Sequence, residues 1–292
     1  MKPSLRRNTR MQVIKLNQQQ VQHLTAQPPL VLALGFFDGV HQGHQRVIQT
    51  ARKIALQRHL PLAVMTFNRH ASQLFQPQSP FRYLNTLDQK IKHMAALRVD
   101  RLYVTDFNRQ FAGLAPADFV DQYLVGLNAQ VVVAGFDYTF GQGGVNGMTD
   151  LARLGAGSFE TVTVDRLANQ QLKVSSTRIR GLIARGQLEQ ANQLLGYDYE
   201  TTATLNPQTR ELIFKNVKQQ LPGGGDYRCW LVGDHYRQQV VIRVSTTAPN
   251  GQIISPYQLP AVMTDLTVSL QWRQQVAAMT TPALAACQQS LL

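Results

Sequence analysis

Short apolar runs alternate with longer amphipathic stretches through the first two-thirds of the chain. Residues 30–37, 62–67, 101–106, 130–135 and 160–164 are dense in apolar residues and too short for a typical helix, so they read as buried strands. Between them, residues 43–58, 87–97, 115–125 and 148–154 place apolar side chains at helical spacing. In the third of these Pro116 stands in the first turn, where its missing N–H costs nothing, and Asp118 lies near the positive helix end. Strands alternating with helices in this way predict βαβ units around a parallel sheet. The segment MQVIKL, beginning at Met11, is also strand-like.

Beyond residue 164 a polar stretch leads to Ser175, Ser176 and Thr177, which open a helical region divided by Gly186 and stopped by Gly196. From Tyr197 the pattern shortens into the segments TTATL, ELIFKNV, YRCWLV and QQVVIRVS. Asn206-Pro207, residues 222–225 and Pro249-Asn250-Gly251 punctuate them as turns. The chain therefore divides into an α/β domain with a Rossmann-like parallel sheet over residues 11–196 and a smaller all-β, barrel-like domain over 197–292.

Composition changes this picture little. The 292 residues suit two domains, and 44% hydrophobic content is enough for two cores. Lys and Arg number 29 against 17 Asp and Glu, a net charge of +12 that suits phosphate-bearing partners or simply a solvated basic surface. Cys229 and Cys287 match no zinc spacing and are expected as reduced, structural thiols. The polar, basic start at residues 1–10 lacks the apolar core of a signal peptide, and Met11 is an alternative start. No apolar run approaches the length of a membrane span, so a cytoplasmic protein is expected.

Three segments carry candidate chemistry. GFFDGVHQGH follows the first buried strand and runs into a helix, where open α/β sheets bind ligands. Gly35, Gly39 and Gly43 let backbone turn sharply and approach phosphate oxygens. His41 and His44, three apart, share a face of the first helical turn and could stabilise charge developing on a phosphate chain. The same pair could ligate a metal or be structural, but no third ligand stands at a telling distance, and no metal site is expected. Residues 175–180, SSTRIR, gather hydroxyls, free N–H groups and guanidinium forks at a helix start; an N-cap followed by solvated arginines is the plain alternative. VVVAGFDYTFG delivers Asp137 and the rings of Phe136, Tyr138 and Phe140 beyond a buried strand. There they could hold Mg²⁺ or a ribose and stack on a planar ring, or be a strand end with core aromatics.

Together these stretches resemble the bacterial bifunctional riboflavin kinase/FMN adenylyltransferase family over about residues 11–200. Residues 35–44 resemble its G-x-FDG-x-H-x-GH loop, and Thr66-Phe67 with His70 its TF-x-PHP segment. Residues 116–127 are similar to its P-x-x-F-x-x-x-YLV-x-L helix, 135–141 to its G-x-[DN]-[FY]-x-FG strand end, and 191–196 to its A-N-x-LLG ending; SSTRIR matches throughout. The resemblance implies a nucleotidyltransferase that joins FMN to the AMP of ATP, with Mg²⁺, giving FAD and pyrophosphate. It implies catalytic contacts from His41, His44, Ser176, Thr177 and Arg180. Ligand-binding positions would be Gly35, Phe37, Asp38, Gly39, Gly43, Asp137, Tyr138, Phe140 and Arg178. Its partners would be nucleotides and flavin, not nucleic acid or membrane.

Two departures stand out. Arg69 and Ala71 replace both prolines of the TF segment. After residue 197 the family's PTAN motif is missing, and only residues 221–227, LPGGGDY, resemble its LP-x-x-G-x-Y turn. A barrel-like remnant without riboflavin kinase activity is expected, one that packs on the first domain, mediates self-association or binds a flavin without turning it over. The alternatives are a bifunctional enzyme with a disguised kinase site, or a flavin- or RNA-binding regulatory paralogue that no longer does the chemistry.

Overall fold

Six parallel strands form the first sheet in the computed structural model, which describes residues 10–22, 27–76, 78–166, 168–169, 172–216, 218–233, 235–245, 247, 250–255, 257 and 266–278. Two compact units divide the chain, residues 1–81 with 87–173, and residues 82–86 with 174–292.

The first unit runs β1 (Gln12–Leu16), α1 (Gln18–Gln22), β2 (Leu30–Leu34), α2 (Gln42–Gln57), β3 (Leu62–Phe67), α3 (Ala71–Phe75), α4 (Leu87–Ala96), β4 (Arg101–Thr105), α5 (Arg109–Ala112), α6 (Pro116–Phe119), β5 (Ala129–Gly135), α7 (Met148–Leu154), β6 (Glu160–Val164) and a small hairpin of β7 (Ala168–Asn169) and β8 (Leu172–Lys173). The sheet order is β1-β4-β3-β2-β5-β6. Every residue of β2 is buried because both faces are covered, which is why the central strands are continuously apolar rather than alternating. Leu30, Leu32, Leu34, Val132 and Ala134 face one core with Phe119, Tyr123 and Leu127. Val31, Ala33, Val131 and Val133 face the other, with Val47, Ile48, Ala51 and Ala55 of α2.

The expected strand at 30–37 stops at Leu34. Phe37 (φ 54°), Gly39 (φ 80°) and Val40 (φ 34°) turn into the left-handed region, which no strand continues through. The expected helix at 115–125 is α6 widening into a π-helical stretch at Val120–Val125, with the Gly126 N–H donating to Asp121 O at 2.9 Å. The β7–β8 hairpin was not expected; the segment after 164 is polar and carries no strand pattern.

The second unit holds α8 (Ser176–Ala184), α9 (Leu188–Leu195) and a closed antiparallel barrel of β9 (Tyr199–Leu205), β10 (Glu211–Phe214), β11 (Gly225–Val232), β12 (Arg237–Val244), β13 (Asn250–Ile253) and β14 (Leu266–Val276), ordered β10-β13-β12-β11-β14-β9. Gly186 (φ 74°) separates the helices and Gly196 (φ 80°) ends the second, as their placement predicts. The all-β pattern begins at β9, but the two preceding helices pack with the barrel. Asn192 of α9 donates to Trp272 O at 2.8 Å and accepts from the Tyr199 N–H at 2.9 Å. Asn250-Gly251, expected as a turn, lies in β13. A Cβ on Gly251 would stand 3.1 Å from Arg243 O, so glycine here serves close strand approach rather than a turn. Cys229 is buried in the barrel, and burial pushes its thiol well above the ordinary value, consistent with an inert structural thiol. Cys287, Pro249 and the basic residues 1–9 lie outside the described residues.

Candidate active site

β3 and β4 lie to one side of β2, and β5 and β6 to the other, so the winding reverses between β2 and β5. Crevices beyond the carboxyl ends of strands at such a reversal are where open parallel sheets take ligands. Leu34 pairs with Ala134, so the loops leaving β2 and β5 emerge side by side. These are the GFFDGVHQGH and GFDYTFG segments.

The β2 loop folds over its own side chains. A Cβ on Gly35 would lie 2.8 Å from the Phe37 ring, so only glycine permits that buried ring its place. His41 caps α2, its Nδ1 accepting the His44 N–H at 3.3 Å, which puts the proton of a neutral His41 on Nε2. The His41 and His44 rings stack with centroids 3.6 Å apart and 16° between planes. A Cβ on Gly43 would be 3.2 Å from the His41 ring, so this glycine leaves room for the stack. Burial, then His41, then Lys90 pull His44 well below the ordinary histidine value. Its Nδ1 is buried and has no partner among the described residues; such an orphan calls for a ligand or an ordered water. Asp38 and His41 are themselves buried, so the loop concentrates polar groups where solvent is scarce.

On the β5 side, Asp137 is exposed in the loop. Of the three aromatics that follow the strand, Phe136 presents its ring outward, with Arg166 4.9 Å from its centroid. Tyr138 packs against the core, where burial pushes its phenol upward, and Phe140 is buried 5.5 Å from the Phe119 ring. Phe140 thus belongs to the core side of the two readings its sequence left open.

A family model described as FAD synthetase matches residues 23–178, more than half of the 292. The chain belongs to the FAD synthetase family. Within that family it is similar to the bifunctional riboflavin kinase/FMN adenylyltransferase of Listeria monocytogenes, 50% identical over 176 residues, 60% of this chain and 56% of the relative. It is also similar to the FAD synthetase of the same organism, 31% identical over 192 residues, 63% of this chain and 77% of that protein. The chain spans a little over half the length of the bifunctional relatives, 56% and, for that of Bacillus subtilis, 54%. A crystal structure named as a macrolide-efflux protein from Streptococcus pneumoniae is 26% identical, with a TM-score of 0.83 over 96% of this chain and 97% of that one. Efflux is said there of the streptococcal protein; no helix among the described residues here is long and apolar enough to cross a membrane.

The remaining FAD synthetase motif, SSTRIR, stands in the second unit. Ser175 caps α8, accepting the Arg178 N–H at 3.4 Å, and the Thr177 hydroxyl accepts from Arg180 at 3.5 Å. Ser176 and Thr177 thus begin the helix, with Arg178 in the same first turn and Arg180 one turn on. In the altered TF segment His70 caps α3 and stacks on Phe81 at 4.1 Å, while Arg69, in place of a family proline, reaches Asp106 at 3.4 Å. Sequence reasoning missed Lys90. Its Nζ, on a residue 4% exposed, donates to Phe36 O at 2.7 Å and Thr66 Oγ1 at 3.2 Å, 4.3 Å from the Phe36 ring centroid. A signal existed: Leu87, Lys90, Ile91 and Met94 follow helical spacing, which sets this lysine in the apolar stripe of α4.

Proposed function

We propose that the chain is an FMN adenylyltransferase that makes FAD and pyrophosphate from FMN and ATP, without riboflavin kinase activity. The observation that carries the reading is the stacked His41–His44 pair, His41 buried and His44 half-buried, on a glycine-rich loop beyond β2, at the reversal of a parallel sheet in a FAD synthetase family member. In the reaction an FMN phosphate oxygen attacks the α-phosphorus of ATP. The new P–O bond forms as the bond from that phosphorus to the β-phosphate bridging oxygen breaks, and pyrophosphate leaves with the electron pair. No covalent enzyme intermediate is required, so the protein contributes positioning and charge stabilisation.

In this reading imidazole N–H donors of His41 and His44 meet the charge that builds on the phosphate chain. Gly35, Gly39 and Gly43 admit the nucleotide close to backbone, with Phe37 and Asp38 shaping the loop. Asp137, Tyr138 and the loop ending at Phe140 border the nucleotide. For Ser176, Thr177, Arg178 and Arg180 at the start of α8, the resemblance to the family implies phosphate contacts. Mg²⁺ is usually held by one or two carboxylates together with substrate phosphates. Among the described residues no group of three or more metal-ligating side chains occurs. Asp137, an exposed carboxylate just beyond β5, is the residue we assign to a Mg²⁺ that arrives with ATP; bound there, the ion would neutralise phosphate charge.

We read residues 11–196 as the adenylyltransferase domain and 197–292 as a kinase-like barrel that has lost its chemistry. What supports this is the missing PTAN motif, which occurs nowhere in the 292 residues. The test is chromatographic product analysis with purified protein, ATP and Mg²⁺, given riboflavin or FMN. FAD from FMN and no FMN from riboflavin is expected. Absence of FAD from FMN would overturn the enzyme assignment, and FMN formed from riboflavin would overturn the loss of kinase activity.

A further inference from the structure

Burying an ammonium group is costly unless the charge is used. Lys90 comes from the apolar stripe of α4 and ends on two neutral acceptors, the Phe36 carbonyl and the Thr66 hydroxyl. Neither needs it. Thr66 Oγ1 already donates to Phe36 O at 2.8 Å, so that carbonyl would keep a partner if the lysine were replaced by an apolar side chain of similar length. An ammonium has three N–H donors, and these two bonds use two. The charged and titratable groups around it are Asp38, which favours its protonated form, His44 with the stacked His41 from the start of α2, and His70 across the Phe36 ring.

We infer that Lys90 is a positioning residue of the nucleotide site: it pins the Phe36 carbonyl against the end of β3 and fixes a positive charge beside Asp38 and His44. The inference takes its nucleotide from the adenylyltransferase reading, but its electrostatics stand without it. Burial and His41 already pull the His44 imidazole down and the Lys90 charge adds to them, so the site meets phosphate with a neutral ring and a cation that the ligand does not have to bring. It also explains a buried lysine whose hydrogen bonds the fold could do without.

The test compares wild type with Lys90→Met and Thr66→Val. His41 and His44 titrations are followed by NMR in ligand-free protein, MgATP binding by calorimetry, and FAD formation by steady-state kinetics. With Lys90→Met the His44 titration is expected to move to higher pH. MgATP affinity falls, and kcat/KM for ATP drops about 10- to 100-fold. With Thr66→Val the charge remains, so His44 titrates as in wild type. An unmoved His44 in folded Lys90→Met, or unchanged MgATP affinity, would overturn the inference. If Lys90→Met does not fold, Lys90→Gln carries the same expectations; failure of both to fold would make the lysine a structural requirement and also overturn it. Wild type that forms no FAD would refute the enzyme reading alone, because the His44 titration and MgATP binding still decide the role of Lys90.

Discussion

Two buried charges, one in each unit, are treated in opposite ways. Asp226 in β11 has a side chain 3% exposed and is clamped by Arg243 of β12 through two bonds of 2.7 Å, Nε to Oδ1 and Nη2 to Oδ2. Lys90 ends on a carbonyl and a hydroxyl. The barrel neutralises its buried charge with a bidentate fork, the geometry that serves stability and strand register. The α/β unit holds its charge on two neutral acceptors with Asp38 near it, close to a stacked histidine pair and a loop in left-handed backbone, and such departures from local rules gather at working sites. The contrast is between a buried charge closed off by its own partner and one set next to a stacked histidine pair.

The largest effect that would sharpen this contrast is on catalysis. His44→Ala is expected to lower kcat for FAD formation about 100- to 1,000-fold, the scale of one lost transition-state donor, while the barrel unfolds as in wild type. Trp230 and Trp272 are the only tryptophans and both lie on barrel strands, so their fluorescence reports that unit during denaturation. Arg243→Met should do the reverse. Stranding the Asp226 carboxylate costs about 3 kcal/mol, the lower end of the range for a broken buried pair because Arg243 is half exposed, and urea denaturation followed by tryptophan fluorescence measures it. FAD formation by the folded fraction should hold.

The next effect is in pH. Burial lowers Lys90 from the ordinary 10.5 to about 8, so the native state gives up this proton before the unfolded chain does. Its contribution to stability is therefore unfavourable below about 8 and is relieved as pH rises toward 10.5. Thermal unfolding of wild type against Lys90→Met should show that rise only in wild type, with the variant the more stable of the two at neutral pH; a parallel pH dependence would remove the contrast between the two charges. The smallest effect belongs to Arg69→Ala. Its 3.4 Å pair with Asp106 is exposed, and the loss should stay below about 1 kcal/mol in denaturant unfolding.

Much of this was legible beforehand, for identifiable reasons. The strands of the parallel sheet announce themselves because both faces are buried, as in LVLAL and LAVMTF. The GFFDGVHQGH loop was legible as a strand–loop–helix connection because its glycines break the apolar pattern between a buried strand and an amphipathic helix. Lys90 was overlooked: in DQKIKH a lysine looks solvated, and although its spacing with Leu87, Ile91 and Met94 sets it in the apolar stripe, only the packing of α4 shows which acceptors it meets. Asn250-Gly251 misled because the dipeptide that favours a turn also suits a strand that another backbone must approach closely. Phe140 stayed ambiguous until Phe119 and Tyr138 were seen beside it.

By itself, then, the sequence determined the element types, the change from βαβ to all-β pattern and the loop that carries the histidines, because periodicity and glycine placement are local properties of a chain. The tertiary structure alone decided which strands are neighbours, and so where the sheet reverses and the β2 and β5 loops meet. It alone showed that the His41 and His44 rings stack, that a lysine lies buried beside them, and that the barrel closes through β13 and β14. Those facts depend on residues far apart in sequence sharing one low-dielectric space, and no local pattern encodes that.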